Sequence, residues 1–148
     1  MPVRNAEAVW QGDLAQGRGN MQFDAYDGPF SFRSRMEEGP GTNPEELLGA
    51  AHAGCFSMAL AAAVGQAGFT PKYIRTRAAV HFGKDAGGFS ISGIDLTTEA
   101  DIAGIDEVRF QQLAAAAKEN CPVSKALRAT AVTLTAKLVP PAAGKRAG

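Results

Sequence analysis

Apolar and polar residues alternate along much of the first third of the chain. The alternation runs through residues 21–25 and 30–36, and glycine-containing turns separate these stretches. A period of two is typical of half-buried antiparallel strands. The pattern therefore predicts an antiparallel meander with strands at residues 7–11, 20–26 and 29–36.

A different pattern begins after Gly41, where apolar residues occur on all sides of a helical wheel. Asn43 is a suitable N-cap, Pro44 suits the first helical position, and Glu46 lies three residues after the cap. We predict a buried helix from Pro44 to about Gln66, ended by the Ala-Gly pair that follows. Its small residues would let a partner helix approach closely: Gly49, Ala50, Ala51, Ala53, Gly54, Ala59 and Ala61 to Ala63.

The rest of the chain shows further strand and helix patterns. They predict strands at 71–82, 88–98 and 131–138 and helices at 106–120 and 122–127. No repeat or linker divides the chain, so we predict a single α/β (α+β) domain over residues 1–139. The proline- and alanine-rich residues 140–148 are predicted to be a disordered tail.

Composition narrows the class of partner. Fifteen basic and fifteen acidic residues cancel in a chain of 148 residues with 45% hydrophobic content. This balance gives no field that would attract nucleic acid or a membrane surface, so a small or neutral partner fits better. Residues 1–7 lack an apolar signal stretch, and the weakly polar run 49–64 contains His52. We expect a cytoplasmic protein without a transmembrane helix.

The two cysteines are the main candidates for chemistry. Cys55 lies in the predicted long helix, and Cys121 directly precedes Pro122. In a reducing compartment, such an isolated pair is typical of catalytic, redox-sensing or metal-binding thiols. A thiol reacts as its thiolate, and a cation or a helix N-terminus favours that form. Cys121 is placed to act as N-cap of the short helix that Pro122 begins.

Three arginines are candidates for the cation, and two glutamates for its carboxylate partner. Arg33 and Arg35 share one face of a predicted strand, and Arg18 lies in a glycine turn. Glu45 and Glu46, at the start of the long helix, are suited to a bidentate pair with an arginine.

These residues allow a peroxide-reducing cycle. The Cys55 thiolate would attack a peroxide to give a sulfenic acid, Cys121 would close a disulfide, and an external dithiol would reopen it. Arg35 would stabilise the thiolate and orient the peroxide. Phe56 and Met58 would favour a peroxide with an organic substituent.

The spacing within the long helix limits how the site can assemble. Glu45 and Cys55 are ten residues apart, or about 15 Å along a straight helix. They cannot meet within that helix. Either a fold-back carries the arginine to the thiol, or an antiparallel helix of a second subunit brings its own end there. We expect a homodimer whose sites combine residues of both chains.

The motifs resemble those of a known family. Residues 41–60, 66–71 and 120–127 (Gly-Thr-Asn-Pro-Glu-Glu-Leu-Leu-Gly-Ala-Ala-His-Ala-Gly-Cys-Phe-Ser-Met-Ala-Leu, Gln-Ala-Gly-Phe-Thr-Pro and Asn-Cys-Pro-Val-Ser-Lys-Ala-Leu) are similar to the osmotically inducible protein C branch of the OsmC/Ohr hydroperoxide-reductase family. The resemblance implies a thiol peroxidase that reduces organic hydroperoxides to alcohols in oxidative and osmotic stress defence. It also implies an intertwined homodimer in which antiparallel strands wrap around a long buried central helix.

The resemblance assigns roles to particular residues. Cys55 matches the peroxidatic thiol and Cys121 the resolving thiol, and Arg35 and Glu45 match the arginine and glutamate of the family's active site. In the organic-hydroperoxide-resistance branch the arginine comes from the first glycine turn, which here is Arg18, so both arginines are candidates. No bound cofactor or metal is implied. The reductant would be an external dithiol, with a dihydrolipoyl group on a lipoylated protein as one candidate.

Two other functions use the same residues. His52, Cys55, Cys121 and His81 could form a tetrahedral metal site, although their spacing lacks the paired motifs of structural zinc sites. A non-catalytic stress protein that binds a hydrophobic ligand is the other alternative. The sequence contains no C-x-x-C motif and no glycine-rich phosphate loop that opens a helix.

Overall fold

The structure is a computed structural model that describes residues 1–140, so the predicted tail beyond residue 140 lies outside the described residues. The chain forms two compact units, one of Met1–Leu47 and a second that begins at Leu48. The units are described separately below. The single domain over residues 1–139 stays a prediction.

The first unit contains the predicted meander. Its strands are β1 (Glu7–Gln11), β2 (Arg18–Phe23) and β3 (Tyr26–Phe30), which pair antiparallel in the order β1-β2-β3. Gly19 allows the rings of Trp10 and Phe30 to meet over β2, with centroids 5.5 Å apart. A Cβ atom at Gly19 would lie 2.4 Å from the Phe30 ring, so any larger residue at this position would displace the ring.

The strand predicted over residues 29–36 is wrong beyond Phe30. Residues 32–36 form a short helix, α1 (Phe32–Met36), and Arg33 and Arg35 lie on a helical turn, not on a strand face. Ser31 caps this helix: its Oγ accepts from the Ser34 N–H at 3.1 Å, and its own N–H donates to Ser34 Oγ at 2.9 Å. This reciprocal capping box stabilises a helical turn over the alternating apolar pattern.

The long helix α2 (Pro44–Gln66) has the predicted ends and continues from the first unit into the second. Asn43 Oδ1 accepts from the Glu46 N–H at 2.8 Å. At the other end Gly68 has φ +91°, and the Phe69 N–H donates to the Val64 carbonyl at 3.1 Å. This hydrogen bond closes a loop of six residues. Together with the left-handed conformation of Gly68, it forms a Schellman motif that ends the helix.

One face of α2 is buried and the other is open in the described chain. Phe56, Leu60 and Val64 are fully buried, whereas Met58 is 76% exposed. By length and composition alone α2 could cross a membrane, and 28% of its most apolar stretch is buried. The core helix of a soluble protein passes the same test, and the predicted absence of a transmembrane helix stays a prediction.

The second unit contains a three-stranded sheet in the order β4-β5-β6. Strands β4 (Pro71–Asp85) and β5 (Gly88–Ile102) form a long antiparallel hairpin, and β6 (Ala131–Leu138) runs parallel to β5. Between β5 and β6 the chain forms α3 (Glu107–Asn120) and α4 (Pro122–Ala126), which supply the crossover that a parallel pair requires.

The core of the second unit comes from α2, β5, α3 and the segments that flank α3. Its buried apolar side chains are those of Phe56, Leu60, Val64, Ile94, Leu96, Ala100, Ile102, Ile105, Phe110, Ala114, Ala117 and Cys121.

Candidate active site

An arginine–glutamate pair lies in the first unit. Arg35 Nη2 donates to Glu45 Oε1 at 2.6 Å and Arg35 Nε donates to Oε2 at 3.1 Å, so both carboxylate oxygens are engaged. The Glu45 side chain is 10% exposed and that of Arg35 is 38% exposed. This is the bidentate geometry in which a carboxylate fixes the plane and direction of a guanidinium.

Hydrogen bonds between α1 and the start of α2 place the two partners of this pair. Ser34 Oγ donates to the Thr42 carbonyl at 2.7 Å, and Asn43 Nδ2 donates to the Ser34 carbonyl at 3.1 Å. Ser34 also belongs to the capping box of α1, and Asn43 caps α2. The same small set of polar side chains therefore caps the N-terminus of each helix and brings Arg35 to Glu45.

The other candidate charges have different surroundings. Arg33 is exposed, with its Nε 3.9 Å from Glu37 Oε2. Glu46 Oε2 accepts from the Thr42 hydroxyl at 3.2 Å. Arg18 is the first residue of β2 and lines a cavity of about 480 Å³ in the first unit. Of the predicted arginines and glutamates, Arg35 and Glu45 form the bidentate pair.

The two thiols are neighbours in the second unit. Cys55 is partly buried in α2, Cys121 is fully buried at the junction of α3 and α4, and both are free. The backbone of Cys121 serves both helices, because its N–H donates to the Ala117 carbonyl at 2.9 Å and its carbonyl accepts from the Lys125 N–H at 3.0 Å. Cys121 is thus the N-cap of α4, as predicted, although its sulfur makes no capping hydrogen bond of ordinary geometry.

The two thiols differ in acidity. Burial raises the pKa of the Cys55 thiol, the hydrogen bond and charge interaction with Cys121 raise it further, and the Val123 backbone opposes the change. For Cys121, burial alone would raise the pKa. The hydrogen bonds with Cys55, with the backbone and hydroxyl of Ser124, and with the Val123 backbone outweigh burial and lower it. Hydrogen bonds that stabilise the thiolate favour the charged form.

A buried histidine adjoins the thiols. His52 lies one helical turn before Cys55 and is fully buried. Its Nε2 is 2.8 Å from Ser124 Oγ, and its Nδ1 has no hydrogen-bond partner within residues 1–140. Burial lowers the pKa of His52, so the ring is neutral at neutral pH. His52, Ser124 and Cys121 therefore form a connected polar series beside Cys55.

The four ligands predicted for the alternative metal site do not come together in the described residues. His81 lies in β4, with its Nε2 2.6 Å from Asp95 Oδ2. Among the described residues, no group of three or more His, Cys, Asp or Glu side chains is arranged to hold a metal ion. Of the two side chains expected to select an organic substituent, Phe56 is buried in the core and Met58 is largely exposed.

An α+β fold that places two free thiols in contact is typical of redox proteins that alternate between dithiol and disulfide. The chain belongs to the OsmC-like protein family, whose model matches residues 37–137. The resemblance seen in the sequence and the predicted fold class are thereby confirmed.

Relatives of known sequence and structure agree with this assignment. The chain is 44% identical over 129 residues to peroxiredoxin OsmC of Escherichia coli (strain K12), which covers 85% of this chain and 90% of that protein. It is 36% identical over 99 residues to an organic hydroperoxide resistance protein of Xanthomonas axonopodis pv. citri (strain 306), which covers 66% and 68%.

Among solved structures, the chain is similar to the organic hydroperoxide resistance protein OhrB of Bacillus subtilis. The TM-score is 0.65 at 28% identity, and the match covers 91% of this chain and 98% of that one. Together these relatives support a peroxide-related redox role and an enzyme of the peroxidase type.

Sequence reasoning missed Ser124, which acts on Cys121 and contacts His52. The signal was present: Ser124 follows Cys121 by three residues, at the third position of a helix that Pro122 begins. At that position a side chain faces back towards the N-cap. The contact with His52 joins residues 72 positions apart, so it depends on the fold.

Proposed function

We propose that this protein is a cysteine-based peroxidase that reduces organic hydroperoxides to alcohols in oxidative and osmotic stress defence. The observation that carries the proposal is the contact between two free thiols, Cys55 on a helix and Cys121 at a helix junction. The names of the relatives point to the substrate, because both peroxiredoxin and organic hydroperoxide resistance refer to peroxides.

The chemistry proceeds in three steps. The Cys55 thiolate attacks one peroxide oxygen, the O–O bond breaks, and the alkoxide takes up a proton to leave as alcohol. Cys55 is then a sulfenic acid. Cys121 attacks its sulfur, the S–O bond breaks, and a disulfide and water form. An external dithiol then reduces the disulfide and becomes a disulfide itself. We propose a dihydrolipoyl group as this dithiol, with no bound cofactor or metal.

Arg35 and Glu45 would activate the first step. Among the described residues of the second unit, the Val123 backbone lowers the pKa of Cys55, whereas burial and the interactions with Cys121 raise it. A cationic partner would lower that pKa and would also stabilise negative charge on the departing oxygen. Arg35 has its guanidinium oriented by Glu45, which suits it to that role. Arg18 stays the second candidate for the same position.

A homodimer would bring the pair to the thiol. Glu45 and Cys55 are separated by about 15 Å of continuous helix, so one α2 cannot hold both groups at one point. On the open face of α2, Met58 is 76% exposed and a Cβ at Gly54 would have no neighbour within 4 Å. A second α2, packed antiparallel there, would bury this face and bring its own end towards Cys55.

We also propose that the protein is cytoplasmic.

A single-turnover experiment tests the proposal. Pre-reduced, metal-free protein is mixed with one equivalent of cumene hydroperoxide, and thiols and intact mass are measured. We expect loss of both thiols and a fall of about 2 Da, as for an intramolecular disulfide. Cys55→Ser should consume no peroxide, and Cys121→Ser should consume one equivalent and gain about 16 Da.

Other outcomes would contradict parts of the proposal. Two unreacted thiols in the wild-type protein would mean that the peroxidase function is wrong. Full multi-turnover activity of Cys121→Ser with a dithiol reductant would remove the resolving role of Cys121. Protection of the thiols by added zinc would favour the metal-site alternative.

A further inference from the structure

The buried series from His52 to Cys121 lies outside the roles assigned above. His52 Nε2 and Ser124 Oγ are 2.8 Å apart, Ser124 lies in the first turn of the helix that Cys121 caps, and its hydroxyl lowers the pKa of Cys121. His52 is fully buried, yet its Nδ1 has no hydrogen-bond partner among the described residues. A buried polar atom left unpaired is uncommon in folded proteins and costs stability.

Counting hydrogens assigns the tautomer of His52. A serine hydroxyl has one proton to donate and two lone pairs to accept with. If that proton goes to the Cys121 thiolate, then Ser124 Oγ can only accept from the histidine, and the ring proton must be on Nε2. The orphaned Nδ1 is then a bare lone pair and not an unpaired N–H.

We propose that His52 is a positioning residue for the second half of the cycle: its Nε2–H donates to Ser124 Oγ and thereby holds the Ser124 O–H on the Cys121 sulfur. This inference rests on the proposed peroxidase function. Among the described residues, the hydrogen-bond partner of His52 is Ser124 and not a sulfur. It acts as a neutral donor, because burial disfavours its charged form.

The step that this series would assist is the closure of the disulfide. The Cys121 thiol releases its proton, its thiolate attacks the sulfenic sulfur of Cys55, and the S–S bond forms as the S–O bond breaks. The departing hydroxide and the released proton make water. Cys121 is oxidised and the sulfur of Cys55 is reduced, so no further reactant is needed. The Ser124 hydroxyl stabilises the thiolate and is not consumed.

Other titratable groups near this series must be considered in a pH experiment. On α2 the titrating neighbours are His52 and Cys55, and once Cys55 is a sulfenic acid it no longer titrates as a thiol. Ser124 also lines a cavity of about 160 Å³ together with Lys118, Glu119 and Arg128. Lys118 Nζ lies 3.5 Å from Glu119 Oε1 and donates to the Val132 carbonyl. On α4 itself the charged side chain is that of Lys125.

The test is the pH dependence of disulfide closure in the full-length protein. Pre-reduced protein is mixed rapidly with one equivalent of cumene hydroperoxide at a series of pH values and quenched with acid. Intact mass then follows the decay of the species heavier by about 16 Da into the species lighter by about 2 Da. The variants are Ser124→Ala, His52→Leu and His52→Gln, whose amide nitrogen can replace Nε2 as donor. Ser57→Ala is the matched control, because Ser57 is a part-buried α2 hydroxyl bonded to Thr76.

We expect Ser124→Ala to slow closure about tenfold at a pH below the Cys121 pKa, because loss of the hydroxyl raises that pKa and lowers the thiolate fraction. The difference should vanish at high pH, where Cys121 is ionised in every variant. His52→Leu should change the profile in the same direction and by less, since the serine keeps its proton. His52→Gln should restore the wild-type profile, and Ser57→Ala should retain it.

Several results would overturn the inference. If Ser124→Ala has the wild-type pH profile, the hydroxyl does not stabilise the thiolate. If His52→Leu speeds closure at low pH, the serine proton belonged to the histidine and the tautomer is the opposite one. If His52→Leu does not fold, the pH profiles of Ser124→Ala and His52→Gln decide the question. A changed profile in Ser124→Ala with the wild-type profile in His52→Gln would support the inference, and any other combination would overturn it. Absence of both mass changes in the wild-type protein would instead refute the peroxidase function itself.

Discussion

The substitution Glu45→Gln tests whether the carboxylate acts only through Arg35. The amide keeps the shape of the side chain and one accepting oxygen, but it removes the charge and replaces the second acceptor with a donor. In the structure that second contact is the 3.1 Å bond from Arg35 Nε to Oε2, beside the 2.6 Å bond from Nη2 to Oε1. The substitution therefore removes one of the contacts that fix the orientation of the guanidinium.

The expected size of the effect follows from burial. A hydrogen bond that involves a charged group contributes about 1.5–3 kcal/mol when buried, and an exposed ion pair contributes about 0–1 kcal/mol. Glu45 is nearly buried but Arg35 is more than one-third exposed, so an intermediate value applies. We take about 1.4 kcal/mol, which corresponds to about a tenfold loss in kcat/KM for cumene hydroperoxide.

The assay is steady-state peroxide consumption with a dithiol reductant in excess. Glu46→Gln is the matched control, because Glu46 lies in the same first turn of α2 and bonds Thr42 instead of the arginine. Both substitutions remove one negative charge from the N-terminus of the helix, which changes its stability by about 0.3–1 kcal/mol in each case. We expect Glu46→Gln to keep kcat/KM within about twofold of wild type on that basis.

A double-mutant cycle gives the result that would refute the reasoning. If Glu45 works only by orienting Arg35, then Arg35→Gln combined with Glu45→Gln should be no slower than Arg35→Gln alone. A further tenfold loss in the double variant would mean that the two residues act independently. An equal loss in Glu46→Gln would attribute the effect to the charge of the helix end.

Three further predictions concern assembly and stability. Met58→Lys should convert the proposed dimer to a monomer in sedimentation analysis, because the exposed apolar face of α2 would carry a charge; a dimer that survives the substitution would remove α2 from the proposed interface. Gly68→Ala should lower the free energy of unfolding in urea by about 1 kcal/mol, since alanine is strained at φ +91° and nothing nearby fills the space. Asp106→Ala should cost about 1 kcal/mol in thermal unfolding by removing the cap on the Arg109 N–H, and wild-type stability would contradict that role.

Local signals account for the parts of the fold that the sequence predicted well. The ends of α2 depend on Asn43 and Gly68, and the start of α3 depends on Asp106, so each boundary is decided within a few residues. The prediction failed at residues 32–36 because two local signals competed there. The alternation of Phe30 and Phe32 suggested a strand, and the Ser31 capping box stabilised a helix.

Contacts between distant segments explain what the sequence could not supply. Strand β6 pairs parallel with β5, so α3 and α4 must carry the chain back towards the end of the sheet at which β5 begins. No local sequence pattern encodes this return. For the ion pair of Arg35 with Glu45, charge type reduced the candidates to three arginines and two glutamates. Ser124 was missed because a serine in a short helix has no distinctive chemistry until the fold places it beside Cys121 and His52.

The opposite acidities of the two thiols suggest that the two halves of the cycle are activated from different places. In the second unit the pKa of Cys55 is raised and that of Cys121 is lowered, so the thiol proposed to react first is the less acidic. Cys121 has its stabilising hydrogen bonds within its own unit. Cys55 would depend on a cation from the first unit of a partner chain, so peroxide would be attacked only in the assembled protein. Changes at Arg35 should then slow sulfenic acid formation and leave disulfide closure intact, while changes at Ser124 should do the reverse.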